Sequence, residues 1–372
     1  MQSQEFWMPL VRLFLSAAAV CGIAASPASA QTCPFDLPYQ FNGAVAYGVG
    51  PSPSTKVTGS ADQSGTVPVT AATRFNLGSV NKMMTAVAVA QLVEKGLMAF
   101  DAPVGRYLSE LPPDIGALRI EQLLSHTAGL SLFLRPDIER AITAAPDARS
   151  LVPLVVAEPR KEPGSFRYSN AGYVLAGAAV EAVSGLAYRD YLARNIFPAA
   201  GIAPQATIWQ SSDAQGVDDT SPQFARSLSR LPAWPAGSLV LSAPDLWRFG
   251  RALANGRLLR SETLAVMMAG GIELRPAQEG RQASRYGLGM RVTGDGSERI
   301  IGHTGGAIGI DAALLIEVGS GQAVAVLSNH SGTDELSASD IAKSIIKTTR
   351  PADCAGKAPP RSSEHAARSL MP

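Results

Sequence analysis

The sequence predicts an α/β (α+β) fold, in which an antiparallel sheet is flanked by helices and a mostly helical domain is inserted between its two halves. Three observations carry that reading. A loosely alternating strand at Phe41 to Val49 runs, after a turn-rich stretch, into a long apolar helix; residues from Asp101 to about Gly201 have helical texture broken by prolines; and the last third switches to period-two alternation between glycine turns. The division that follows places the α/β domain in residues 31–97 and 236–350, the helical domain in 98–235, and a flexible tail in 351–372.

The first helix is expected from Ser79 to Lys95 with Gly96 as its C-terminal cap, and it carries Met83, Met84, Val87, Val89 and Leu92 with no charge but Lys82 before Glu94. A helix apolar on almost every side belongs in the middle of a molecule. Short helices are expected at Ile120 to His126, Ala171 to Ser184 and Tyr188 to Phe197, whereas Gly201 to Leu231 is polar and reads as loop. Ser242 before Pro244 marks the start of a helix to Ala254. Strands are predicted at Tyr286 to Val292, Glu298 to His303, Ala312 to Val318 and Gln322 to Ser328, and a closing helix at Leu336 to Thr349.

The chain has 372 residues, a net charge of +1, 46% hydrophobic and 17% charged residues. This is enough chain for a large core, and the charge balance gives no sign of a nucleic-acid partner. Leu13 to Ala25 is apolar, and Ser26 to Ala30 ends in a small-x-small pattern before Gln31, so residues 1–30 read as a signal peptide and the protein as exported, periplasmic or secreted. The run falls short of the ~20 apolar residues of a spanning helix, and none follows it. Cleavage removes Cys21 and leaves Cys33 and Cys354, which either pair in an oxidising compartment, a closure worth about 4–5 kcal/mol, or stay as two thiols. With no histidines paired at ligand spacing, no metal site and no cofactor are expected.

Ser79-Val-Asn-Lys82 puts an alcohol and an amine one helical turn apart, on one face. A serine needs a base to take its proton, and a desolvated lysine amine can be that base. Alone the pattern is weak, since Ser344-Ile-Ile-Lys347 matches it and a serine before an apolar run is ordinarily a cap. Its company is what counts: Leu123-Leu-Ser-His-Thr-Ala-Gly-Leu130, Tyr168-Ser-Asn170, Ala236-Gly-Ser-Leu239 and His303-Thr-Gly-Gly306 follow in order.

With these motifs the chain resembles the serine β-lactamase and penicillin-binding protein superfamily, in particular its class C-like branch with esterases and D-amino-acid peptidases. The resemblance implies a β-lactamase/transpeptidase-like fold and a hydrolase with Ser79 as nucleophile, Lys82 as its proton acceptor or electrostatic partner, and Tyr168 sharing the proton traffic and activating the deacylating water. A phenol does this only if a cation lowers its pKa. Asn170 is expected to hold Lys82 and a substrate carbonyl, and the N–H of Gly306 to join that of Ser79 around the oxyanion. His303 departs from the lysine of the β-lactamase pattern; as a neutral donor it favours a small ester, amide or D-amino-acid peptide over a carboxylate-bearing β-lactam or D-Ala-D-Ala end. His330-Ser-Gly332 fits the same short pattern in a less suitable place, and His126 reads as a helix terminator. A β-lactamase or carboxypeptidase of the same fold, and a silent penicillin-recognising sensor, are the alternatives.

Overall fold

The computed structural model describes residues 35–204, 209–279, 282–333 and 336–349. The signal-peptide reading, the cysteine pairing and the tail at 351–372 lie outside the described residues.

An eight-stranded antiparallel sheet in the order β2-β1-β10-β9-β8-β7-β6-β5 forms the frame. Its strands are β1 (Gly43–Gly48), β2 (Ser54–Thr58), β5 (Ile272–Arg275), β6 (Ser284–Tyr286), β7 (Arg291–Thr293), β8 (Ile300–Ala307), β9 (Ile310–Glu317) and β10 (Ala323–Ser328). A separate two-stranded ribbon pairs β3 (Arg74–Asn76) with β4 (Val240–Ser242). The helices are α1 (Asn81–Glu94), α2 (Pro113–Gly116), α3 (Ile120–Leu124), α4 (Pro136–Ala144), α5 (Val152–Val156), α6 (Asn170–Ser184), α7 (Tyr188–Tyr191), α8 (Phe197–Ala200), α9 (Pro222–Ser229), α10 (Ala243–Ala254), α11 (Ser261–Ala269) and α12 (Ala338–Thr348). The antiparallel sheet flanked by helices is the expected fold class.

Alternation in the strands sorts the two layers. Ala44 and Ala46 of β1 join the main core with Leu246 and Phe249 of α10, whereas Val45 and Tyr47 face the other way with Ile341 and Ile345 of α12. Ser242 caps α10 as expected, its Oγ accepting from the Asp245 N–H. Helix α1 is buried along most of its length, and Gly96, at φ +69°, turns the chain out of its end. Among the described residues no single helix is long and apolar enough to cross a membrane.

Three expectations are corrected. Tyr286 to Val292 is not one strand but the end of β6, a turn over 287–290 and the start of β7, because Gly289 at φ +88° is pressed onto α1, where a β-carbon would overlap that of Ala86. The 201–231 stretch contains α9, whose Ala225 and Leu228 are buried beneath a polar outer face. Tyr188 to Phe197 is broken by a wider π turn at Leu192–Ile196.

Candidate active site

Ser79 lies not in α1 but in the 3-10 turn before it, Gly78–Val80. Asn76 fixes this turn by accepting from the Gly78 N–H at 2.8 Å and donating to the Leu228 carbonyl at 3.1 Å. Gly78 adopts φ +48°. The Ser79 side chain caps no helix; its hydroxyl is within 3.1 Å of Lys82 Nζ and hydrogen-bonds Tyr168.

Lys82 is fully buried, one turn along. Its Nζ donates to Asn170 Oδ1 and to the Ala236 carbonyl, each at 2.7 Å, and no carboxylate pairs with it among the described residues. Burial holds its pKa well below the ordinary lysine value. Two carbonyl oxygens can only accept, so each takes one N–H of the amine, and the remaining position of the nitrogen faces the Ser79 hydroxyl. The Ala236 carbonyl was not foreseen from sequence; it is held in place because Asn81 donates to the Trp234 carbonyl and Thr85 to that of Pro235.

Tyr168 and Asn170 flank Ser169, whose Oγ caps α6 by accepting from the Gly172 N–H at 3.0 Å. This cap places Asn170 on the first turn, where its amide meets Lys82. The Lys82 Nζ stands 4.9 Å from the centre of the Tyr168 ring. The cation expected to lower the Tyr168 pKa does not prevail: burial pushes it up to about 12 against smaller opposing effects of Ser79 and Arg291. Tyr168 is therefore a protonated phenol near neutrality, not a ready phenolate.

Gly305 and Gly306 reach this cluster from β8. A β-carbon on Gly305 would run into the Leu77 carbonyl and stand 3.0 Å from the Ser79 nitrogen, so the strand lies directly against the serine turn. β7 pairs only with residues 300–302 of β8, which leaves the His303 to Ala307 edge without a strand partner on that side among the described residues.

His303 occupies a different role from the expected one. Its side chain is 3% exposed, its Nδ1 lies 2.5 Å from the Thr304 carbonyl and its Nε2 2.7 Å from the Tyr286 hydroxyl. A carbonyl only accepts, so Nδ1 carries the proton and Nε2 accepts from the tyrosine. Both nitrogens are occupied within the protein, and burial depresses the pKa to about 3, helped by Lys82 and Arg291. His303 thus braces the strand and has no free N–H for a substrate.

Arg291 on β7, exposed and without an ion pair among the described residues, is one of the cations at the site, with Arg275 and Lys343. It lines a groove of about 800 Å³ together with Thr304 and Gly306. Ser79 is not on the groove wall; Gly305 and Gly306 connect the two. Arg291 and Tyr286 were missed in the sequence, where the available signal was an arginine and a tyrosine one short strand upstream of His303-Thr-Gly-Gly306. His330 follows β10 and makes none of these contacts, its N–H donating to Ser328 Oγ.

The Beta-lactamase family model matches residues 39–345, most of the chain. The chain belongs to the Beta-lactamase family. Penicillin-binding protein PbpX of Bacillus subtilis is 27% identical over 227 residues, 59% of this chain and 54% of that protein, so the match spans only about half of the relative's length. In structure the chain resembles a penicillin-binding protein from Bacillus halodurans at TM-score 0.70 and 24% identity, covering 82% of this chain and 96% of that one. It is also similar to the D-amino acid amidase of Ochrobactrum anthropi SV3, at TM-score 0.65 and 25% identity over 84% and 92% of the two chains. This member of the family combines Ser79, Lys82 and Tyr168 with a buried His303 and an exposed Arg291.

Proposed function

We propose that this member of the Beta-lactamase family is an exported serine hydrolase that forms an acyl-enzyme at Ser79 on a small ester, amide or D-amino-acid peptide. The observation that carries the reading is the buried Lys82 amine, held within 3.1 Å of the Ser79 hydroxyl by two carbonyl acceptors. Ser79 Oγ attacks the substrate carbonyl carbon and its proton passes to Lys82 Nζ. The oxyanion sits between the N–H groups of Ser79 and Gly306. As the bond to the leaving group breaks, the Lys82 proton returns to that group through the Tyr168 hydroxyl, which gives one proton as it takes another. Water then retraces the path: it loses a proton toward Tyr168 and Lys82, attacks the acyl carbon and frees Ser79. The relay requires a phenol that stays protonated, which suits the raised Tyr168 pKa.

The similarity to a D-amino acid amidase supports an amide or D-amino-acid substrate. A second reading, a peptidase for carboxylate-ended peptides or a β-lactamase, is favoured by Arg291, whose guanidinium belongs to the groove that Thr304 and Gly306 of β8 line and could pair with a substrate carboxylate. Intact-mass analysis of the protein and its Ser79→Ala variant with an acyl ester, a D-amino-acid amide and a chromogenic cephalosporin tests both. A Ser79-dependent adduct with turnover of ester or amide supports the first reading; a long-lived cephalosporin adduct supports the second; no adduct with any of them rejects the mechanism. Export rests on the apolar run before Ala30 and predicts a mature N-terminus at Gln31.

A further inference from the structure

His126 is not the plain helix terminator that the sequence suggests. It is 1% exposed and holds φ +61°, a left-handed conformation that costs most side chains energy. Its Nδ1 accepts from the Ser169 N–H at 3.1 Å, so in the neutral ring the proton is on Nε2, and that buried atom has no hydrogen-bond partner. An unpaired buried N–H costs about 1–3 kcal/mol. A phenylalanine or leucine would fill the same space but leave the buried Ser169 N–H without its acceptor, so the reason for histidine here goes beyond packing.

The ring's neighbours show what that bond positions. Its centroid is 4.2 Å from that of Tyr168, 4.6 Å from Tyr286 and 5.2 Å from Tyr173, with Phe166 edge-on at 5.8 Å. It therefore forms the inner wall behind Tyr168 and connects it to the Tyr286–His303 pair. The backbone fixes the wall: the Arg167 N–H donates to the His126 carbonyl at 2.7 Å and the Gly164 N–H to that of Thr127 at 2.8 Å. Segment 126–127 is thus fastened to the strip that delivers Tyr168, Ser169 and Asn170. Burial, with Lys82, His303 and Arg291 nearby, keeps the ring well below its ordinary pKa, so it adds no charge beside the amine.

We propose that His126 is a positioning residue for Tyr168, holding the phenol ring by stacking and the following peptide by its Nδ1, so that the hydroxyl stays on Ser79. The proposal rests on the reading that Tyr168 relays protons for Ser79. The test uses His126→Asn, because asparagine tolerates the left-handed backbone and keeps an acceptor for Ser169 while removing the ring. With p-nitrophenyl acetate, acylation should fall about tenfold or more, with KM changed less than about twofold. In a Tyr168→Phe background the same substitution should cost less than about twofold, because its effect passes through the tyrosine. An unchanged acylation rate, or an equal loss with and without Tyr168, overturns the proposal. Should the wild-type protein not be acylated, the proton-relay reading fails, and the Tyr168 Cζ resonance of protein carrying ¹³C-labelled tyrosine decides the positioning by itself. That resonance should move in His126→Asn while that of Tyr107 stays, and an unmoved Tyr168 signal overturns the assignment.

Discussion

Gly305 lies so close to Leu77 that even a single β-carbon would strike the Leu77 carbonyl and crowd the Ser79 nitrogen. Its neighbour Gly306 faces open space, with no atom within 4 Å of a built β-carbon. The two glycines therefore have different reasons to be glycine. Gly305→Ala should push β8 away from the serine turn and reduce acylation about a hundredfold or more, the scale of losing an oxyanion donor. Gly306→Ala keeps its N–H and should stay within about threefold of wild type. Pre-steady-state acylation of the two variants separates them.

Lys82→Met should abolish acylation while the far-ultraviolet circular dichroism remains, since methionine fills the buried stem and lacks only the amine. The wild-type rate should fall on acidification as the depressed lysine pKa is crossed, because the amine must be neutral to accept the Ser79 proton. That acid limb should persist unchanged in position in His303→Asn. A limb that vanishes in the histidine variant would assign the titration to His303 and not to Lys82.

His303 should instead be felt in stability. Its folded pKa of about 3 lies below the ordinary value of 6.5, so the unfolded chain binds the extra proton between these values. The stabilisation is fully present above pH 6.5 and is lost as pH falls from there toward 3. The slope is about 1.4 kcal/mol per pH unit for each proton taken up on unfolding. Urea denaturation at pH 6, 5 and 4 should show a shallower decline for His303→Asn, with the remaining slope including the similarly depressed His126.

Arg291→Ala should raise KM for a peptide ending in a free carboxylate by about tenfold and leave a neutral acyl ester unchanged. Equal effects on both substrates would remove Arg291 from carboxylate recognition and make it a general electrostatic influence on Tyr168.

Much of the frame was readable because it depends on local rules. The glycine after α1, the Ser242 cap and the alternation of β9 and β10 follow from backbone and burial preferences that operate within a few residues. The order Ser79, Lys82, Tyr168, Asn170, Gly306 was readable from motif chemistry; the geometry brings Ser79, Asn170 and the Tyr168 ring around the Lys82 nitrogen and sets Gly305 and Gly306 against the serine turn. What escaped was set by distant partners. His303 reads as a solvent-range histidine until Tyr286 is placed on it, and Tyr168 as an activated phenol until the weight of burial over Arg291 is known. The Ala236 carbonyl has no side-chain signature at all. Helix α9 was hidden because its apolar residues are few among polar ones, although they fall on one face.

The pairing of β1 with β10 carries a consequence for how the protein is made. Gly43 aligns with Ser328, and Asn42 and Asn329 beside them hydrogen-bond across a separation of 287 residues. At ribosomal speeds the first strand waits on the order of tens of seconds for its neighbour to be synthesised. Until then β1 has β2 on one side only, and the serine turn has no β8 to lean on. Contacts so distant in sequence also slow the closing of the sheet once all its strands exist. The sheet is thus completed late in synthesis, and a polypeptide stopped before Ala323 carries Ser79 without a finished sheet to hold it.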